Sequence, residues 1–169
     1  MSHRLAAILA ATAAGFALLA GGGAAGAAAP DPTQQKINQL LTESPGGVQT
    51  SKNTVAWENG AIVYTVARKG ATIAAAACEA GRFCLYENNN FGGSVLSFSE
   101  RICDNRIINL PSFNFNDKTS SWADNANVDV DVWADTGAGG SRIFQMFAFT
   151  ESPGLPRSIN DRASSLNCF

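Results

Sequence analysis

Two blocks of this sequence recur in the same order, and that duplication restricts the available folds more than any other feature. Tyr86 is followed by Gly92, Gly93 and Ser94, and Trp133 is followed by Gly139, Gly140 and Ser141, an offset of 47 residues. Downstream, Asn116-Asp117-Lys118-Thr119-Ser120-Ser121 is answered by Asn160-Asp161-Arg162-Ala163-Ser164-Ser165 at an offset of 44. Each hexapeptide follows a hydrophobic residue, Phe115 or Ile159, and precedes another, Trp122 or Leu166. The blocks therefore describe two copies of a unit of about 45 residues. Two copies are too few for a solenoid; facing one another, they would bury a shared core.

The same region, residues 78–169, holds 12 of the 15 aromatic residues and all four cysteines. Runs at 83–87, 94–99, 128–133 and 142–149 are separated by Gly, Asn, Asp and Ser. Short apolar runs with turn signals at this spacing predict an all-β sandwich or barrel. Residues 30–77 are different. Ile37, Leu40 and Leu41 fall at helical spacing behind Thr33, a candidate cap, and Ser44-Pro45-Gly46-Gly47 ends the run. This predicts a short amphipathic helix over 33–43. Asn59-Gly60 between 54–58 and 61–66 predicts a hairpin, since both turn positions need positive φ. A helix and one hairpin are too small to fold alone. The segment must dock on the rest, act as a pro-segment, or stay partly mobile. Residues 67–77 read as a linker, and Arg68-Lys69 as an exposed charged pair, with a processing site as the alternative.

Residues 1–29 read as a signal peptide: a basic start at Arg4, an apolar run over 5–20, and small residues ending at Ala29. That run is shorter than the roughly 20 residues needed to span a bilayer, so secretion without a membrane anchor is expected. Removal of this segment takes the only histidine, His3, and leaves 11 basic against 14 acidic side chains. A mature chain without histidine excludes Ser-His-Asp triads, Cys-His dyads and HExxH zinc sites. The acidic balance argues against a nucleic-acid partner. Gly137-Ala138-Gly139-Gly140 lacks the Lys and helix of a phosphate loop. Asp124, Asp129, Asp131 and Asp135 suggest glycosidase carboxylates, but Asp129 and Asp131 alternate with valines, as on the solvated face of a strand. No enzyme is expected. Outside the cytosol the four cysteines should oxidise. Cys78 and Cys84 enclose five residues and should pair, leaving Cys103 with Cys168; the spacings match no common zinc pattern.

The aromatic-to-glycine spacing of 86–93 resembles the Greek-key signature of the βγ-crystallins, and both hexapeptides resemble that family's calcium-binding pattern. The resemblance covers residues 78–169 and implies a double Greek key sandwich, preceded by the signal peptide and the helix-plus-hairpin segment. It departs at Ala138, where the family pattern has an aromatic like Phe91, so a weaker second hairpin is expected. It also implies weak calcium sites shared between the two units. One would use the Lys118 carbonyl, the Ser120 hydroxyl and backbone near Ala134. The other would use the Arg162 carbonyl, the Ser164 hydroxyl and backbone near Asn88. Asp117 and Asp161, preceded by Asn116 and Asn160, would supply carboxylates. Oxygen donors of this kind suit a hard cation, whereas Asx and Ser turns would use the same residues without a metal.

The helix-hairpin lead, Trp57-Glu58-Asn59-Gly60, and the Cys78–Cys84 spacing running into Leu85-Tyr86-Glu87 resemble the actinobacterial secreted metalloproteinase-inhibitor family. This resemblance implies a monomeric inhibitor of a secreted protease, acting by rigid-loop occlusion of its cleft. The alternative is a calcium-binding structural or interaction module. The family's second tight disulfide loop is absent here, since Cys103 and Cys168 lie far apart, so no reactive loop carries over. Residues 150–157, with Pro153 and Pro156, could form a stiffened loop, but an ordinary connection is expected.

Overall fold

A computed structural model describes residues 31–67 and 78–169. The expected signal peptide and the stretch 68–77, with Arg68-Lys69, lie outside the described residues. Helix α1 (Pro32–Glu43) comes first, followed by β1 (Val48–Ser51), β2 (Thr54–Trp57) and β3 (Ile62–Thr65). The duplicated region supplies β4 (Arg82–Asn88), β5 (Gly92–Ser99), β6 (Ile107–Asn109) and β7 (Ser121–Asn125). It continues with β8 (Val130–Asp135), β9 (Gly139–Met146), β10 (Glu151–Ser152) and β11 (Ser165–Cys168).

The strands form two sheets, ordered β1-β2-β3-β5-β4-β7-β10 and β6-β11-β8-β9. Each duplicated unit keeps three strands in its own sheet and sends its third, β6 or β10, to the sheet of the other. The two units are thus interlocked Greek keys packed face to face. The shared core includes Phe83, Leu85, Leu96, Phe98, Phe113, Phe115, Val130, Val132, Met146 and Leu166.

The N-terminal segment docks. β3 pairs antiparallel with β5, from Ile62 opposite Phe98 to Thr65 opposite Val95. Ile37 and Leu40 of α1 enter the same core. Trp57 packs edge-on against Phe113 at 5.3 Å, and Tyr64 against Phe115 at 5.6 Å. Glu87 ties the junction: it accepts from the Tyr64 hydroxyl at 2.7 Å and from the Lys36 ammonium at 3.0 Å. Burial alone would raise the Glu87 carboxyl; hydrogen bonds from Tyr64, Ser94 and Lys36 outweigh it and hold it at about 2.

Several local expectations are corrected. The helix cap is Asp31, whose Oδ1 accepts from the Thr33 amide at 2.9 Å, so Thr33 lies inside the first turn. Asn59 and Gly60 do take positive φ, of 55° and 84°, but Glu58 joins them at 49° and the turn is longer than two residues. The run expected as a strand over 142–149 stops at Met146, because Phe149 turns to a φ of 58° and the Thr150 amide bonds back to the Phe147 carbonyl at 3.1 Å. The second hairpin keeps its turn geometry despite Ala138. Ala138 adopts a φ of 56° against 59° for Phe91, and its amide donates to Ser165 Oγ at 3.0 Å, as the Phe91 amide does to Ser121 Oγ. The alanine lacks the ring contact that Phe91 makes with Tyr86. Gly93 and Gly140 follow at φ of 76° and 67°, where a side chain would be strained.

The cysteines are bonded as Cys78–Cys84 and Cys103–Cys168, with Cα separations of 5.8 and 5.0 Å. The second bridge ties the last strand to the turn after β5.

Candidate functional site

The two hexapeptides meet across the pseudo-twofold relation of the units. The Asp117 amide donates to the Ala163 carbonyl at 3.0 Å, and the Asp161 amide donates to the Thr119 carbonyl at 3.0 Å. Asp117 and Asp161 both adopt positive φ, 53° and 52°, which an aspartate tolerates better than most residues. The side chains cross over. The Ser120 hydroxyl donates to Asp161 Oδ1 at 3.2 Å and the Ser164 hydroxyl to Asp117 Oδ1 at 3.5 Å. Asn116 and Asn160 each donate an amide N–H to the second oxygen of the following aspartate. Every side-chain acceptor in this cluster is an oxygen, and Asn116 Oδ1 is buried with no hydrogen-bond partner among the described residues. This donor set suits a hard cation.

The backbone neighbours differ from the expected allocation. The Ser120 amide donates to the Tyr86 carbonyl at 2.9 Å, and Ser121 Oγ to the Asn88 carbonyl at 2.6 Å. The Ser164 amide donates to the Trp133 carbonyl at 2.9 Å, and Ser165 Oγ to the Asp135 carbonyl at 2.5 Å. Backbone around Asn88 therefore contacts the first hexapeptide and backbone flanking Ala134 the second, because each hexapeptide opens the last strand of its own unit's hairpin sheet. The crossing between units is made by the aspartates. The cations turn back on their own chain. Lys118 donates to the Asn114 carbonyl at 2.7 Å, and Arg162 to the Ser158 carbonyl at 2.9 Å.

A second feature lies at the opposite end of β9. Between β9 and β10 the chain makes a tight turn whose phenyl groups, Phe147 and Phe149, are 55% and 66% exposed. The turn is pinned at its base. Thr150 Oγ1 donates to the Phe147 carbonyl at 2.7 Å, and the Ala148 amide to Asp129 Oδ1 at 3.0 Å. The Asp124 amide donates to the Thr150 carbonyl at 2.8 Å. Both sheets therefore hold a loop that presents two large apolar side chains to solvent, an arrangement that marks interaction surfaces. The stretch 150–157 is tied down instead: β10 pairs with β7, and the Leu155 amide donates to the Ser120 carbonyl at 2.9 Å.

Asp124 is a buried carboxyl. It stands opposite Phe83 on the core side of β7, 3% exposed, and its Oδ1 accepts from the Ala126 amide at 2.9 Å. Its Oδ2 has no partner among the described residues. Burial pushes its pKa up to about 7, opposed by the Ala126 hydrogen bond and reinforced by the Asp129 and Glu100 charges. The folded state thus holds this proton more tightly than the unfolded chain. Stability is expected to fall as pH rises from about 4 to 7, and the penalty is complete above 7. Asp124→Asn keeps the acceptor and removes the charge. It should stabilise the protein at pH 8 by up to about 4 kcal/mol, with little effect near pH 4. Urea unfolding of both proteins at several pH values checks this; a variant less stable at pH 8 would contradict it.

Residues 71–144 match the model of peptidase inhibitor family I36. That segment is therefore similar to this inhibitor family. A solved structure described under the evolution of the eye lens βγ-crystallin domain fold is 20% identical, with a TM-score of 0.50, over 64% of this chain and 96% of its own. A βγ-crystallin domain from Clostridium beijerinckii is 22% identical over 52% of this chain and 95% of its own, with a TM-score of 0.42. One from Flavobacterium johnsoniae is 20% identical over 52% and 92%, with a TM-score of 0.42. No curated protein matches the sequence. The chain has a βγ-crystallin-like double Greek key fold, with one helix before the strands among the described residues. Similarity to an inhibitor family points to a protease, in general terms, as partner. Its disulfides fit an extracellular setting. Among the described residues, no helix is long and apolar enough to cross a membrane.

Proposed function

We propose that this protein is a secreted inhibitor of a metalloproteinase and that the Phe147–Phe149 turn occludes the protease cleft. The observation that carries this reading is the turn itself: two exposed phenyl groups on a loop anchored to both sheets. Binding requires ordering of the contact residues, and a loop already fixed loses little freedom on docking. The disulfide loop that this chain lacks is replaced, in this reading, by hydrogen bonds to Asp129 and Asp124. Stoichiometric inhibition of a thermolysin-like protease is expected. Phe147→Ala with Phe149→Ala should weaken inhibition by about a hundredfold or more, as for the loss of two apolar anchors, while the melting temperature stays within a few degrees. Absence of inhibition at micromolar excess over several secreted proteases would remove the reading.

The crossed hexapeptides favour a second role that is compatible with the first, calcium binding by a structural module. Asp117, Asp161, Ser120 and Ser164 would offer side-chain oxygens, with backbone carbonyls completing each shell. Few charges per site imply affinities of about 10⁻⁴ to 10⁻³ M. A calcium-dependent rise in melting temperature is expected, abolished in Ser120→Arg plus Ser164→Arg. A melting curve identical with calcium and with chelator would exclude it.

A further inference from the structure

Beside the Phe147–Phe149 turn, on the outer face of the larger sheet, lies a cleft of about 430 Å³. Its floor is Ala123, which shares a small apolar cluster with Cys84 and Tyr86, so this row of β7 and β4 faces away from the main core. Tyr86 and Phe91, edge to face at 5.6 Å, line it together with Phe149 and Cys78. Glu151 stands directly across from Ala123 in the β10–β7 ladder, which places its side chain on the same outer face. Asp124 also borders the cleft, but strand alternation turns its carboxyl to the core side with Trp122. Glu151 is therefore the charged side chain presented to the cleft, and among the described residues no lysine or arginine forms an ion pair with it. Burial and the Glu151 charge together push the Tyr86 phenol up to about 12, in keeping with a carboxylate close to the aromatic wall.

An aromatic-walled cleft with a carboxylate that has no ion-pair partner among the described residues is complementary to an organic cation. Ring faces attract ammonium and guanidinium groups, and the carboxylate adds a charge-assisted hydrogen bond. Anionic ligands would meet Glu151 unfavourably, and a purely apolar side chain would leave it unpaired. We infer that the cleft is a subsite for a basic side chain, an arginine or lysine presented by the protease partner next to the residues that meet Phe149. The cation preference stands on the cleft alone; its assignment to a protease rests on the inhibitor reading.

The test uses the full secreted protein and N-acetyl-arginine amide as the probe, followed by amide chemical shifts in NMR. N-acetyl-norleucine amide and N-acetyl-glutamate amide are the controls. Saturable shifts at Ala123 and Glu151 are expected with the arginine probe and with neither control. Glu151→Gln should weaken that binding about tenfold, and Glu151→Lys should abolish it. Inhibition of the target protease should weaken in parallel in Glu151→Gln. No saturable response to arginine, or an equal response to norleucine, would overturn the cleft assignment even if the protein inhibits. Arginine binding by a protein that inhibits no protease would overturn the inhibitor reading and the partner named here. Unchanged inhibition in Glu151→Gln would overturn the use of the cleft in that complex.

Discussion

A chain that begins at Cys78 is expected not to unfold as one cooperative unit. Residues 31–67 supply Ile37, Leu40, Val55, Trp57, Ile62 and Tyr64 to the core that the Greek keys share. Each is at most 5% exposed. At about 2 kcal/mol for each buried large apolar side chain, these six contribute on the order of 10 kcal/mol, comparable to the whole stability of a typical domain. Their loss would also bare Phe113 and Phe115 and leave β5 as an open edge, prone to pairing with other chains. Circular dichroism melting of the truncated and full chains decides the matter. A sharp transition in the truncated protein at the temperature of the full one would show that the segment is dispensable and suited to removal as a pro-segment.

The second large effect concerns the cysteines. Replacing Cys103 and Cys168 by alanine releases a loop spanning 65 positions, against six for Cys78–Cys84. Chain entropy puts these at about 4 and about 2 kcal/mol respectively. Urea midpoints of the two double variants should therefore rank with the long-range pair far more sensitive. The reverse ranking would mean that the short loop is held in place by more than its own closure, for instance by contacts of Cys78 with β7.

Much of the architecture was legible because repetition leaves marks that do not depend on packing. The matched glycines after Tyr86 and Trp133, and the matched hexapeptides, name backbone positions that need positive φ and short polar side chains. These are local demands, and local demands are written in sequence. What was not legible depends on partners distant in the chain. The Thr54 and Ile62 runs read as a hairpin, but nothing in them says that β3 will extend the sheet at β5. The two-residue strand β10 is too short for any period to show. Phe147 and Phe149 alternate with Ala148 as they would in a strand; the reversal comes from Thr150 bonding back to Phe147 and from Asp129 capturing the Ala148 amide. Asp124 was grouped with three other aspartates, yet it alone is buried. Its position two residues after Trp122, on the same strand face, was the available sign. The crossing of Ser120 to Asp161 and of Ser164 to Asp117 could be expected from symmetry only in outline, since the allocation of backbone neighbours depends on which hairpin each hexapeptide closes.

That crossing has a mechanical consequence. Each aspartate completes the loop of the other copy, so neither loop is independent of the other. A substitution at Asp161 is felt first at Ser120, some forty positions upstream, and one at Asp117 is felt at Ser164. The two loops are therefore mechanically one unit, and a change in either is transmitted to the other.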